Sequence, residues 1–402
     1  MAVRTLRRTA TAAVTIALLT GLAAAQAGAE GEEDPRIQQY REALAQLRPL
    51  TDPPACDQVP EPGRWADAGA PDQGSADAVI SAHRGALTLA PENTLQSYEY
   101  AFAYGVDLVE VDVQQTEDGR FVALHDSTVD RTTNGTGNIA DLTFDEVRAL
   151  NAADYAPWSG GAYDPAQVAS LEEVLELAQR AGKGVELDIK GSVTEEGELA
   201  ELVGEYGLIE ESIFNSADPR VFVAEPAARL IYNRDAWEPA FLIYEVGEVF
   251  KVFGSRLDEY TPESIAAAHD ACAIVMPHAY DAGPDQEVAQ FLQARAMGAD
   301  GVQTNQPALI VAAAGEAVDS TIEVERGEHG RIDEICLVNA DNGFGFPGKP
   351  VRFQRGDKSA ELTTGRGGCV ATPPGHWQGA RVTFAGDGAV HASAARLAPS
   401  PD

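Results

Sequence analysis

Ala78-Val79-Ile80-Ser81-Ala82-His83-Arg84-Gly85, Asp107-Leu108-Val109-Glu110-Val111-Asp112 and Phe121-Val122-Ala123-Leu124-His125-Asp126 fall within one stretch, residues 78–126, and each joins a short apolar run to a polar cluster. Apolar runs of that length read as buried strands. Polar residues at the carboxyl ends of consecutive strands are where a (β/α)8 barrel keeps its chemistry. Alternate residues of a strand face the same way, so Glu110 and Asp112 present two carboxylates side by side. Like charges so close call for a cation, and a divalent metal is the economical one. His83 and His125, expected on flanking strands, could then give and take protons beside it.

Further elements follow in order. Pro91-Glu92-Asn93-Thr94 and Asp118-Gly119 lie inside the stretch; Asp130-Arg131-Thr132-Thr133-Asn134-Gly135-Thr136-Gly137 and Asp300-Gly301-Val302-Gln303-Thr304-Asn305-Gln306-Pro307 lie beyond it. With His83-Arg84-Gly85, Glu110-Val111-Asp112 and His125-Asp126 they resemble the glycerophosphodiester phosphodiesterase family, over residues 76–316. One His-Arg-Gly tripeptide carries little weight; several ordered elements across one domain carry much.

The resemblance implies a TIM (β/α)8 barrel that hydrolyses glycerophosphodiesters to sn-glycerol 3-phosphate and an alcohol. It maps metal ligands onto Glu110, Asp112 and Asp188, the last standing before Lys190 where the family pattern is Glu-x-Lys. The shorter aspartate is a departure, and Glu186, two residues earlier on the same strand face, is the competing third ligand. Arg84 and Lys190 are expected to hold the non-bridging phosphate oxygens. His83 and His125 form an acid/base pair, with the leaving-group acid assigned to His125 by analogy; the nucleophile is water or the glycerol's own 2-hydroxyl. Glu92 is a further candidate, either assisting the metal or shaping its turn. Carboxylate-only coordination favours Ca2+ or Mg2+ over zinc, and an exported protein favours Ca2+. A Trp-Thr-Val-Asn-like run of the family is missing, and His278 and Tyr280 stand after the corresponding strand, which leaves the substrate-stacking wall open.

Composition sets outer limits. The 402 residues exceed one typical domain, and the net charge of −34 argues against a nucleic-acid backbone or an anionic membrane as a tight partner. Residues 1–29 combine Arg4, Arg7 and Arg8 with an apolar stretch and small-residue cleavage sites, the pattern of a signal peptide. No later apolar run has membrane-spanning length. The expected location is therefore outside the cell or in the cell envelope. Cys56, Cys272, Cys336 and Cys369 lack metal-ligand spacing and read as two disulfides, Cys56–Cys272 and Cys336–Cys369.

Four segments result: the signal peptide, an N-terminal helix and Pro/Gly-rich linker at 30–75, the barrel at 76–317, and a small β-sandwich at 318–398. The last resembles a bacterial Ig-like repeat, with strands expected at Thr321–Val324, Glu334–Val338, Val351–Phe353, Ala360–Thr363, Gly379–Phe384 and Ala389–Ser393. Its expected role is attachment to envelope material or stabilisation, with little contribution to the chemical step. Inside the barrel, Thr94, Thr143 and Gly182 are expected helix caps. Competing functions are a phospholipase D-like enzyme acting on sphingomyelin or lysolipids, a metal-free phosphatidylinositol phospholipase C, and a non-catalytic envelope-binding protein. Glu110-Val111-Asp112 argues against the metal-free enzyme, and the presence of both histidines argues against the non-catalytic one.

Overall fold

The computed structural model describes residues 78–216, 219–225, 227–233, 250–270, 273–280, 283–326, 332–374 and 377–398. The expected signal peptide, N-terminal helix and linker, and the Cys56–Cys272 pair lie outside these residues.

Eight strands form a parallel sheet: β1 (Val79–Ala82), β2 (Leu108–Gln115), β4 (Gly184–Ile189), β5 (Ile213–Asn215), β6 (Arg229–Asn233), β7 (Phe250–Gly254), β8 (Ile274–Val275) and β9 (Gly301–Thr304). The sheet closes on itself. Beyond β8, His278 bridges to Gln303, with Gln303 N–H donating to Pro277 O at 3.1 Å and Ala279 N–H to Gln303 O at 2.9 Å. Val79, Leu108, Ile213, Ile231, Val252 and Met276 meet as one buried cluster, so apolar side chains fill the amino-terminal end. The polar chemistry is left to the other end, as the architecture requires.

The helices between the strands form where their caps say they should. The first, α1 (Leu95–Ala103), starts at Thr94, whose side chain accepts from Ser97 N–H. Capping boxes open α2 (Phe144–Arg148) at Thr143 and Glu146, and α3 (Leu171–Ala181) at Ser170 and Glu173; left-handed Gly182 ends α3. The rest are α4 (Glu196–Glu205), α5 (Pro219–Ala224), α6 (Pro262–Asp270), α7 (Pro284–Met297) and α8 (Pro307–Ala314).

One expectation is corrected. The strand before His125, β3 (Phe121–Ala123), is not a barrel strand: it pairs antiparallel with β2, off the main path. The cause is the length of β2, whose far end reverses at Asp118-Gly119, where Gly119 takes φ +82° and donates to Thr116 O. The returning chain lays Leu124 N–H on Asp112 O at 2.9 Å. His125 thus reaches the barrel mouth along a hairpin rather than from a flanking strand.

After α8 come two antiparallel sheets forming the small β-sandwich. One has the order β10 (Ser320–Arg326), β11 (Ile332–Asn339), β14 (Cys369–Ala371); the other β13 (Lys358–Thr363), β12 (Pro350–Arg355), β15 (Arg381–Phe384), β16 (Ser393–Arg396). Cys336 and Cys369 sit opposite each other on β11 and β14 and form the expected disulfide. The final strand lies further on than Ala389–Ser393. Asp387 accepts the N–H groups of Ala389 and Val390, which turns that segment; Val390 bridges to Val318, and regular pairing begins at Ser393.

Candidate active site

The inward face of β2 carries Glu110, Asp112 and Gln114, all buried. Register with β4 sets Glu110 beside Glu186 and Asp112 beside Asp188. Carboxylate oxygens of Glu110, Asp112 and Asp188 all lie within 4.8 Å of one another. At an effective dielectric of 20, two unit charges about 4 Å apart repel by about 4 kcal/mol. Burial, then the charges of Asp112, Asp188 and Glu186, accordingly push the Glu110 carboxyl well above its ordinary range. Burial would also raise Asp112, but Lys190 and Arg84 outweigh it and hold Asp112 below the usual value.

Glu186 does not join the trio. It accepts from Ser81 Oγ at 2.5 Å and Gln303 Nε2 at 2.9 Å, deeper in the barrel. Burial lifts its pKa to about 7, with Asp188 adding and the two hydrogen bonds opposing. Between Glu186 and Asp188, Asp188 is the residue brought to Glu110 and Asp112.

The cations stand on the same cluster. Lys190 Nζ is 2.7 Å from Asp112 Oδ1 and donates to Asp188 Oδ2 at 2.5 Å; Asn215 Nδ2 reaches the other Asp188 oxygen at 3.1 Å. Arg84 Nε lies 3.3 Å from Asp112 Oδ2. Lys190 Nζ is thus the close neighbour of buried Asp112 Oδ1. The all-carboxylate donor set of Glu110, Asp112 and Asp188 fits a hard divalent cation such as Ca2+ or Mg2+.

Arg84 and Asn93, both left-handed at φ 55°, shape the turns around this group. The turn at Arg84 aims its N–H at Glu110 Oε2, 2.8 Å away. Gly85 follows at φ +79°, where a Cβ would meet Ser97 Oγ at 2.4 Å, so the third residue of His-Arg-Gly has no room for a side chain. Asn93 Nδ2 donates to Asp112 Oδ2 at 2.6 Å, while its Oδ1 accepts from Tyr98. Glu92 pairs with the arginines. It accepts from Arg84 Nη1 at 3.1 Å and from Arg131 Nη2 and Nη1 at 2.7 and 3.0 Å. Burial would raise Glu92, yet Arg131 and Arg84 keep it below the usual range.

Both histidines are tied through Nδ1, to different partners. His83 Nδ1 is 2.7 Å from Asn305 Oδ1. Asn305 commits its Nδ2 to Tyr280 O at 2.8 Å, so its oxygen is the acceptor and His83 Nδ1 carries the proton. Tyr280 also stacks on His83, centroids 4.1 Å apart. Burial, then the charge of Arg84, lowers His83 to about 4 and keeps its ring neutral. His125 Nδ1 instead meets Asp126 Oδ1 at 2.6 Å, a carboxylate held down to about 2, chiefly by its hydrogen bond from Arg131. Gln114 Nε2 anchors that segment by donating to Asp126 O at 2.8 Å. In both rings Nε2 is left as the nitrogen for proton transfer.

Of the nine sequence candidates, Glu110, Asp112 and Asp188 form the acidic trio, and Arg84 and Lys190 contact it. Glu92 sits on the arginines, Glu186 lies beside Glu110 in register, and His83 and His125 are held by Asn305 and Asp126. Asn93, Gln114, Tyr280 and Asn305 were not singled out as site residues, and no role was given to Arg131. Asn93, Arg131 and Asn305 lie within the matched motifs, which was the available signal. Gln114 continues the inward alternation of Glu110 and Asp112.

The model of the glycerophosphoryl diester phosphodiesterase family matches residues 83–228. The Bacillus subtilis protein YhdW is 36% identical over 140 residues, 34% of this chain and 56% of that protein. The glycerophosphodiester phosphodiesterase of Caldanaerobacter subterraneus subsp. tengcongensis is 28% identical over 243 residues, 58% of this chain and 96% of that protein. Among solved structures, an Oleispira antarctica phosphodiesterase in complex with the product sn-glycerol-3-phosphate is 25% identical with a TM-score of 0.50, covering 58% of this chain and 95% of that one. With its barrel closed around the same ordered motifs, this chain is similar over the barrel to glycerophosphodiester phosphodiesterases.

Proposed function

We propose that the protein hydrolyses glycerophosphodiesters to sn-glycerol 3-phosphate and an alcohol, with a divalent cation, Ca2+ or Mg2+, held by Glu110, Asp112 and Asp188. The observation that carries this reading is the three-carboxylate group flanked by two cations and by two histidines presenting Nε2. When bound, the cation supplies positive charge against the non-bridging oxygens of the phosphodiester. Arg84 and Lys190 hold the same oxygens in the bound ester and in the transition state alike.

The two histidines differ in a way that supports opposite roles. His83 faces an amide and stays neutral, which suits the base: Nε2 takes the proton of the attacking water or 2-hydroxyl as the new P–O bond forms. His125 is oriented through Nδ1 by the Asp126 carboxylate, which suits the acid: Nε2–H gives its proton to the departing alkoxide as the P–O bond to the alcohol breaks. Should the 2-hydroxyl attack, water opens the cyclic phosphate with the two roles exchanged.

Leaving-group chemistry tests this division. His125→Ala is expected to lose about 100-fold or more in kcat on glycerophosphocholine, whose alcohol needs a proton, and far less on a p-nitrophenyl ester, whose phenolate does not. Equal losses on the two esters would remove His125 from the acid role. We also infer export through residues 1–29, supported by the Cys336–Cys369 disulfide. Amino-terminal sequencing of protein recovered from culture medium checks it, and an intact amino terminus there would contradict cleavage.

A further inference from the structure

Helix α1 is buried on two sides. Its amino-terminal end, after Glu92 and Asn93, faces the site; its carboxyl-terminal end meets the β-sandwich. Asn339 Nδ2 donates to Ala103 O at 2.9 Å, and Asn342 Nδ2 donates at 3.1 Å to Phe102 O, which also accepts Gly105 N–H at 2.9 Å. Phe344 stacks near Phe102, and Phe346 meets Tyr104 edge-on with centroids 5.5 Å apart. Between the two ends stands Tyr100, fully buried, whose hydroxyl accepts from Gly367 N–H and from Tyr163 OH, each at 3.2 Å. Gly367 belongs to the turn just before disulfide-bonded Cys369. Tyr163 belongs to the loop at 154–163, where it packs edge-on against Trp158 at 5.5 Å. Tyr155 of that loop accepts Glu92 N–H at 3.0 Å, and Glu92 in turn holds Arg84 and Arg131.

We propose that the β-sandwich is a positioning part of the site: through the Gly367–Tyr100–Tyr163 contacts it fixes the 154–163 loop, whose Tyr155 sets Glu92 against the two arginines. This goes against the expectation that residues 318–398 contribute little to the chemistry. Tyr100 and Tyr163 touch no reacting atom and act through Glu92. Only the kinetic consequence rests on the proposed hydrolase activity; the coupling between the sandwich and the loop does not.

The test uses the full chain with Tyr100→Phe and Tyr163→Phe, which break the same hydroxyl contact from its two sides. Arg366→Ala serves as control: it removes another contact of the same interface, Arg366 Nε to Gln96 Oε1 at 3.0 Å, without touching the relay. Hydrogen–deuterium exchange over 154–163 is expected to quicken in both tyrosine variants and to stay unchanged in the control. KM for glycerophosphocholine is expected to rise about threefold to tenfold with kcat nearly constant, because phosphate binding is weakened equally before and during the reaction. The double variant should match Tyr100→Phe alone, since that change already removes the Tyr163 contact along with the one to Gly367. Should Tyr100→Phe fail to fold, Tyr163→Phe on the loop side decides alone. Unchanged loop exchange in the variants, or lowered thermal stability with loop exchange and KM unchanged, overturns the proposal. Faster loop exchange in a protein whose wild type hydrolyses nothing would support the coupling and defeat the functional reading separately.

Discussion

Replacing Asn305 tests the proposed base without touching it. Asn305→Leu removes the acceptor 2.7 Å from His83 Nδ1 and leaves a partly buried N–H to find another partner or none. The lost hydrogen bond and the unsatisfied donor together come to about 1–3 kcal/mol. The ring is also free to carry its proton on Nε2, the nitrogen the reaction needs unprotonated. If the whole effect falls on the transition state, kcat/KM drops about 5- to 150-fold. Asn305→Asp sharpens the test. A carboxylate in that place favours imidazolium, so it raises His83 from about 4 and moves the acidic limb of the pH–rate profile upward. The assay is glycerol 3-phosphate release between pH 4 and 9 with excess Ca2+. Wild-type kcat in Asn305→Leu, together with an unmoved acidic limb in Asn305→Asp, would refute the assignment of His83 as an oriented neutral base.

Glu110→Ala and Asp112→Ala are each expected to abolish turnover while leaving the far-ultraviolet circular dichroism spectrum intact; wild-type turnover at micromolar metal in either would remove the metal site. Asp188→Asn should weaken Ca2+ binding measured by calorimetry far more than Glu186→Gln, because both Glu186 oxygens are already taken by Ser81 and Gln303. The reverse order would make Glu186 the third ligand. Glu186 also predicts a pH signature in EDTA. Its native pKa of about 7 lies above the unfolded value, so its stabilisation is complete below about 4.5 and is lost as pH rises through 7. Glu186→Gln should flatten the fall in Tm across that window, and an equally steep fall in the variant would contradict the linkage.

The parts of this protein governed by local rules were readable in its sequence. The alternation of Glu110 and Asp112, the caps at Thr94, Thr143 and Gly182, and the final strand at Gly301 follow from periodicity and capping, and the structure has them. His125 was placed at the mouth for an incomplete reason. Asp118-Gly119 is a turn signal, and reading it as one would have revealed the hairpin. The Asn305–His83 and Tyr280–His83 contacts span more than 190 residues and depend on barrel closure, which no local pattern encodes. Helix α1 carries a sequence signal of the second domain. Tyr98, Tyr100, Phe102 and Tyr104 in seven residues are too many aromatics for one buried stripe, and the second side is the one the β-sandwich covers.

The central claim is that three carboxylates hold a cation that this hydrolysis needs. It is tested most directly by following glycerol 3-phosphate release from glycerophosphocholine in protein stripped with EDTA and then titrated with Ca2+ or Mg2+. The account predicts no turnover in the stripped protein, recovery that saturates with one cation per chain, and no recovery in Asp112→Ala. Full turnover in the stripped protein, or recovery in Asp112→Ala at the same cation concentration, would contradict it.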